Sequence, residues 1–363
     1  MDSAQGAWLT IEGRSVLNLC SNNYLGFATA PEVKAAATAA IAAFGVGAGG
    51  ARSVSGTQRL HIALEQRLAE FKCVDAAMVL SSGFMANLAA LPALVGRGDR
   101  VYSDELNHAS IVDACRLSGA EIVRYPHADA DALGTLLSET ADAGARLVVT
   151  DGVFSMDGDL APLDRIAPIV RSAGAMLVVD DAHGEGVVGN HGRGVVEHFG
   201  VRDAVTAEVG TLSKAFGGIG GYVCGSATVI DRLRRGARPY LYSTGLSPAD
   251  TAGALAAVEA LAASDERVRR LWDNTRLFRA ALTAVGLEPV GETPIVPLIL
   301  GDEERTQEVA RRLFDASVYV VAIGYPMVPR GRARIRCLIS AEHTPDDLQF
   351  AARAISAAIS ATT

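Results

Sequence analysis

From residue 76 onward the chain repeats one pattern: a short apolar run, a polar cluster, then a stretch with helical spacing. The runs are Ala76 to Leu80, Arg100 to Ser103, Glu121 to Tyr125, Leu147 to Thr150, Met176 to Val179 and Val205 to Val209. None carries the strict polar and apolar alternation of a half-exposed strand. They therefore read as strands buried on both faces, in a largely parallel sheet flanked by helices, and the fold class is α/β. Sheets of this kind bind ligands just beyond the carboxyl ends of their strands. The polar clusters fall there: Ser82-Gly83-Phe84, Asp104 to His108, Asp151 to Ser155, Asp180 to His183 and Thr211 to Lys214.

The flanks complete the layout. Trp8 to Ile11 and Val16 to Leu19, around a Gly13-Arg14 turn, predict a hairpin. Pro31 to Phe44 is an alanine-rich helix opened by proline, and Leu60, Leu64, Leu68 and Phe71 mark an amphipathic one. Gly45 to Gly50 fits the G-x-G-x-x-G spacing but follows a helix, whereas a dinucleotide fingerprint must follow a strand, so the NAD reading is set aside. A helix from Pro248 to Ala263 leads to Val296 to Leu300, a helix Glu304 to Leu313, Val318 to Ile323, Arg334 to Ile339 and a helix Pro345 to Ala358, a smaller α+β unit. With 363 residues, more than one compact core usually holds, the expected division is a hairpin segment 1–25, a large ligand-binding domain 26–250, and a linking helix with a small domain over 251–363.

Composition excludes some functions. A net charge of -8 gives no general attraction to nucleic acid or to an anionic membrane, so an anionic ligand must be held by local groups. No apolar run approaches a membrane span, and Met1-Asp2-Ser3-Ala4-Gln5 lacks the basic start of a signal peptide, which sets the expectation of a cytoplasmic enzyme. The five cysteines are scattered without paired spacing, arguing against a disulfide framework or a zinc site, and no metal is expected.

Only three of the 33 basic residues are lysines, Lys34, Lys72 and Lys214, so arginine serves where a plain positive charge suffices. Lys214 lies in Val209-Gly210-Thr211-Leu212-Ser213-Lys214-Ala215-Phe216-Gly217-Gly218, among hydroxyls and glycines after an apolar run. An amine there can lose its proton and condense with an aldehyde, which a guanidinium cannot. This stretch resembles the lysine site of the α-oxoamine synthases, the acyl-CoA-dependent branch of the pyridoxal-phosphate (PLP) transferases of fold type I. Asn22-Asn23-Tyr24-Leu25-Gly26, Asp104 to Ser110, Asp151 to Gly158, Asp180-Asp181-Ala182-His183-Gly184 and Arg334-Ile335-Arg336 resemble that family's motifs in the same order.

The resemblance implies a role for each cluster. Ser82, Gly83 and Phe84 open a helix whose amides would hold the cofactor phosphate, with Thr211 adding a hydroxyl. Asp180 would keep the pyridine nitrogen protonated, with Asp181 as competitor and a helix cap as the plain alternative. His108 would stack on the ring, with His183 and Ser155 near its hydroxyl and the substrate. Lys214 would carry the cofactor. Arg336 would take the substrate carboxylate, with Arg330, Arg332 and Arg334 as competitors, and Asn22 would lie near the amino acid or simply serve as a turn asparagine. Ser243 and Thr244 would reach the phosphate in the neighbouring subunit of a homodimer. Arg232, Arg234 and Arg235 are either a coenzyme A site or a solvated helix face.

The implied activity is a Claisen condensation of a small amino acid with an acyl-CoA. Glycine with acetyl-CoA is the first expectation, because Ser55 to Gln58, Thr150 to Gly158 and Arg238 to Ser243 resemble glycine C-acetyltransferases (2-amino-3-ketobutyrate CoA ligases). Alanine with pimeloyl-CoA, a step of biotin formation, is the alternative. More distant rivals are an aminotransferase and a cofactor-binding protein without catalysis.

Overall fold

The computed structural model describes residues 1–139 and 144–362; Thr363, the last residue of the expected small domain, lies outside them. Contacts divide the chain into two compact units. The first holds residues 1–29, 155–159 and 265–363, and the second holds 30–154 and 160–264.

The chain begins in the first unit with a hairpin of β1 (Trp8–Ile11) and β2 (Arg14–Asn18). It then enters the second unit, where α1 (Pro31–Phe44) and α2 (Arg59–Lys72) precede the repeating part. That part runs β3 (Ala76–Leu80), α3 (Gly83–Leu94), β4 (Arg100–Asp104), α4 (Ala109–Ser118), β5 (Glu121–Tyr125), α5 (Ala130–Glu139), β6 (Arg146–Asp151), α6 (Leu163–Ser172), β7 (Met176–Asp180), α7 (Val195–His198), β8 (Ala207–Thr211) and β9 (Gly221–Gly225). Helices α8 (Ala227–Gly236), α9 (Arg238–Tyr242) and α10 (Pro248–Ala263) close it.

The sheet order is β3-β9-β8-β7-β6-β4-β5. Strands β5, β4, β6, β7 and β8 pair parallel, as the sequence pattern predicts, and β9 inserts antiparallel between β8 and β3. Leu147, Val149, Val178, Val209 and Val223 are all fully buried in its core. Each such side chain contributes about 1.5–3 kcal/mol relative to exposure. The helix starts are fixed locally, with Ser82, Ser226 and Ser247 each accepting an amide of the first turn, a cap worth about 1 kcal/mol. The Gly45 to Gly50 stretch is the loop after α1, with no strand before it.

The first unit resumes with α11 (Glu266–Ala284), which the sequence reading did not identify, then β10 (Ile295–Gly301), α12 (Glu303–Asp315), β11 (Val318–Tyr319), β12 (Val321–Ile323), β13 (Ala333–Leu338) and α13 (Pro345–Ser360). The run Val318 to Ile323, expected as one strand, is split at Val320. Its first part pairs parallel with β2 and its second antiparallel with β13, so one strand direction could not serve both sheets. Among the described residues no helix is long and apolar enough to cross a membrane, and no group of His, Cys, Asp and Glu is suited to hold a metal.

Candidate active site

In the second unit the expected residues collect at the carboxyl edge of the sheet. Strand β3 ends in the turn to α3, where the Ser82 hydroxyl accepts from Met85 N (3.2 Å) and the Ser82 carbonyl from Ala86 N (3.0 Å). The two preceding amides, Gly83 and Phe84, are the ones a helix start leaves for an anion. Glycine is required at Gly221 and makes for an easier fit at Gly83. A Cβ on Gly83 would stand 3.1 Å from the Thr211 side chain, and one on Gly221 would come within 2.4 Å of Gly83 N and the Ser82 carbonyl. The Thr211 hydroxyl thus lies beside the amides of the turn, and it also bonds Ser213 Oγ (2.8 Å).

Asp180 ends β7 and is buried. Its Oδ2 accepts from Asn87 Nδ2 (2.6 Å) and its Oδ1 from Ala182 N (3.0 Å), so helix α3 and the following turn fix the carboxylate plane. The same Asn87 amide donates to Ser110 Oγ (2.9 Å), and Ser110 in turn meets His108 Nδ1 at 2.7 Å. His108 caps α4, and its own N–H donates to Asp151 Oδ2 (2.7 Å). Its ring is exposed and meets Phe84, itself 39% exposed, edge-on at 6.5 Å between centroids. Although the residue reaches solvent, the protein packed around the imidazole partly desolvates it and lowers it below its ordinary value; the Asp180 charge opposes this and the Lys214 charge adds to it, which favours a neutral ring. Burial and the Asp180 charge push Asp151 well up, against the His108 N–H bond and the Lys214 charge. Asp180, His108, Asp151 and Lys214 thus share one electrostatic neighbourhood.

Asp181, the competing aspartate, is committed elsewhere. It accepts from Lys72 Nζ (3.1 Å) and Val195 N (3.2 Å), and Lys72 also pairs with Glu208 and donates to the Arg193 carbonyl (2.6 Å). Lys72 is fully buried; burial alone would lower its affinity for a proton, but Glu208 and Asp181 outweigh this and hold it charged. The reading of Asp180 as a helix cap does not fit, since turns rather than a helix follow it.

Lys214 lies in the loop joining β8 to β9, half-buried, in a turn closed by Gly217 N to Lys214 O (3.0 Å), with Gly217 at φ +70°. His183 is buried in the turn after β7. Ser243 and Thr244 follow α9, with Thr244 exposed and bridged to Ala51 and Gly245 N bonded to Gly50 O (2.9 Å). Arg234 is half-buried and donates to Glu65 and Ala77, whereas Arg232, which donates to the Leu94 carbonyl, and Arg235 are exposed.

The remaining three expected residues belong to the first unit. Arg336 donates from Nη1 to the Ser155 carbonyl (2.7 Å). Its competitor Arg334 is fully buried and donates from Nη1 to Met156 O (2.9 Å) and Asp157 Oδ1 (2.6 Å) and from Nε to Arg332 O (3.1 Å), which ties it into the scaffold. Asn22 accepts from Tyr24 N through its carbonyl (2.8 Å), a turn, while its buried side-chain Oδ1 has no hydrogen-bond partner among the described residues.

The donor set in the second unit fits PLP. Close-packed glycines expose helix-start amides for a phosphate, an oriented carboxylate suits a ring nitrogen, an exposed imidazole suits a ring face, and an amine suits an aldehyde. Asn87, Ser110 and Asp151 were not singled out from sequence for any role. The one available signal was that Asn87 is a polar residue in the otherwise apolar start of α3.

This sheet and this donor set define a PLP-dependent enzyme of fold type I. The family described as aminotransferase class I and II matches residues 14–355. The 8-amino-7-oxononanoate synthases of Thermosipho melanesiensis and Fervidobacterium nodosum are 52% and 51% identical, each over 97% of this chain and 90% of theirs. A lysine-to-alanine variant of the serine palmitoyltransferase from S. paucimobilis, with a bound PLP-myriocin aldimine, superposes with a TM-score of 0.96 at 35% identity, covering 100% of this chain and 92% of that one. The 8-amino-7-oxononanoate synthase of Francisella tularensis superposes with a TM-score of 0.81 at 29% identity, covering 95% and 98%. The chain belongs to this family, in its α-oxoamine synthase branch, and is a PLP-dependent acyltransferase.

Asp180→Asn keeps the bond to Asn87 sterically possible but removes the charge. It is expected to leave the fold and cofactor binding in place while slowing exchange of the substrate Cα proton by about a hundredfold or more. Exchange in deuterated buffer, followed by NMR, checks this; a native rate would remove Asp180 from that role.

Proposed function

We propose that the chain condenses alanine with pimeloyl-CoA, releasing coenzyme A and carbon dioxide and giving 8-amino-7-oxononanoate. The observation that carries this reading is the near-full-length identity of about one half to relatives of that activity. The first expectation, glycine with acetyl-CoA, gives way to it. The motifs that suggested glycine are common to both subtypes, and one methyl on the amino acid is worth only about 1–3 kcal/mol in an apolar pocket, so catalytic motifs do not carry the choice.

When bound, PLP supplies an electron sink for the pair left at the substrate Cα. In this reading Lys214 holds the cofactor covalently and, once released, moves the Cα proton as general base. Asp180, oriented by Asn87 and Ala182 N, holds a proton on the pyridine nitrogen. Gly83 and Phe84 amides, with the hydroxyls of Ser82 and Thr211, bind the phosphate. His108 covers the ring, His183 and Ser155 serve its hydroxyl, and Arg336 and Asn22 bind the amino acid, Arg336 pairing the carboxylate through its planar fork. We further propose a homodimer in which Ser243 and Thr244 complete the partner's phosphate site.

Three measurements test these statements. Specificity constants for alanine with pimeloyl-CoA should exceed those for glycine with acetyl-CoA by more than about a hundredfold, beyond what one methyl supplies; equality or the reverse order would return the first expectation. Borohydride reduction of the holoenzyme should fix pyridoxyl mass on the peptide containing Lys214, and mass on the Lys34 or Lys72 peptide would refute the assignment. Mixing a Lys214→Ala subunit with a Thr244→Ala subunit of reduced activity should restore one native-like site per hybrid dimer. Verified hybrids without recovery would contradict site sharing.

A further inference from the structure

Glu185 lies fully buried in the turn after β7, beneath the loop that carries Lys214. Its Oε1 accepts from the backbone N–H of Thr211 (2.6 Å) and its Oε2 from the phenol of Tyr222. These two donors are the last residue of β8 and the second residue of β9, so one carboxylate ties together both strands from which the loop springs. Space for it is made by Gly210. A Cβ there would come within 2.4 Å of Tyr222 Cζ and 2.5 Å of Glu185 Oε2. The catalytic reading above gives Glu185 no task, although it is a buried acid that bonds directly to a proposed phosphate-binding residue.

We propose that Glu185 is a positioning residue for the cofactor site: its ionised carboxylate fixes Thr211 and the root of the Lys214 loop, and protonation weakens both ties. The reason is the strength of charge-assisted bonds. An ionised carboxylate offers a charged acceptor to each donor, whereas the neutral acid offers Thr211 an uncharged carbonyl and shares a second proton with the Tyr222 oxygen. Tyr222 keeps its own proton, since burial and the nearby carboxylates push its phenol well above its ordinary value. Lys72, Asp181, Glu208, Tyr222 and Cys224 are the titratable groups around Glu185. Burial raises Glu185 from 4.5 to about 7, against the charge of Lys72 and the bonds from Tyr222 and Thr211. The weakening therefore falls near neutral pH.

The global and local effects have opposite signs. Because the folded value lies above the ordinary one, ionising Glu185 costs the fold. Its contribution to stability declines as pH rises from 4.5 to about 7 and is level above. The order of the loop root rises over the upper part of the same window.

The proposal rests on the cofactor reading only for its catalytic consequence, and its test uses cofactor-free protein, so the two can fail separately. Hydrogen exchange is measured on the peptide spanning 207–216 from pH 6 to 8.5 and expressed as protection factors, which removes the intrinsic pH dependence. In the wild type, protection at Thr211 should fall by about tenfold between pH 8 and pH 6, the change in ionised fraction of a group near 7. Glu185→Gln, which offers a pH-independent acceptor to Thr211, should flatten the profile and also remove the corresponding slope from melting temperature against pH. Tyr222→Phe, lacking a bond that favours the ionised form, should move the inflection upward. PLP affinity should follow the wild-type profile and lose it in Glu185→Gln. A flat wild-type profile, or an unchanged inflection in Glu185→Gln, would overturn the proposal.

Discussion

A row of buried carboxylates along one edge of the sheet governs this structure. Asp104, Asp151, Asp180 and Asp181 all lie at or just past strand ends, and all are buried. A carboxylate taken out of water costs several kcal/mol unless it is met by donors or a cation. Each has found its own answer. Asp104 takes the amides of Leu106 and Ala128 and the ring of His127; Asp151 takes the His108 amide; Asp180 takes Asn87 and Ala182; Asp181 takes Lys72 and Val195. Satisfying the row therefore dictates the first turns of the neighbouring helices and where His108 stands.

Lys72 shows how such an arrangement separates two adjacent aspartates. Asp181 faces a buried ammonium and is held as part of the scaffold, whereas Asp180 takes the neutral donors Asn87 and Ala182 N and faces the edge where His108 and Lys214 lie. Removing one member of a buried ion pair typically costs about 3–5 kcal/mol, so the scaffold aspartate and its lysine stand or fall together.

Much of this was legible in the sequence, because apolar runs and their polar ends are local signals. The six runs of the repeating part became six of the seven strands of the large sheet, and the clusters at their ends, Ser155 apart, lie in the second unit. Strand β9 was not legible: Gly221 and Gly225 bound it, and it continues directly from a glycine loop, so nothing in its residues outweighs a turn reading. The roles of Asp180 and Asp181 were open for a different reason. Neighbouring residues diverge, and what distinguishes them is a lysine 109 positions away. Arg334 and Arg336 share a strand face, and only the commitment of Arg334 to Asp157 tells them apart. Substrate choice was least legible, since family subtypes share the same chemistry-bearing motifs.

The antiparallel insertion of β9 has a consequence for Lys214. Thr211 and Gly221, where the loop leaves and rejoins the sheet, are paired directly across from each other, and Leu212 bonds back to Gly220 (3.0 Å) within the loop. The amine is thus mounted on a short span clamped at both ends, with only its own side chain as a tether. Under the proposed role of Lys214, a group released from this amine that stayed in the site would meet it again at high effective concentration, because the loop is pinned where it leaves and rejoins the sheet. The clamp would make renewal of that link an intramolecular encounter, helped by the strand pairing as well as by the chemistry of the lysine.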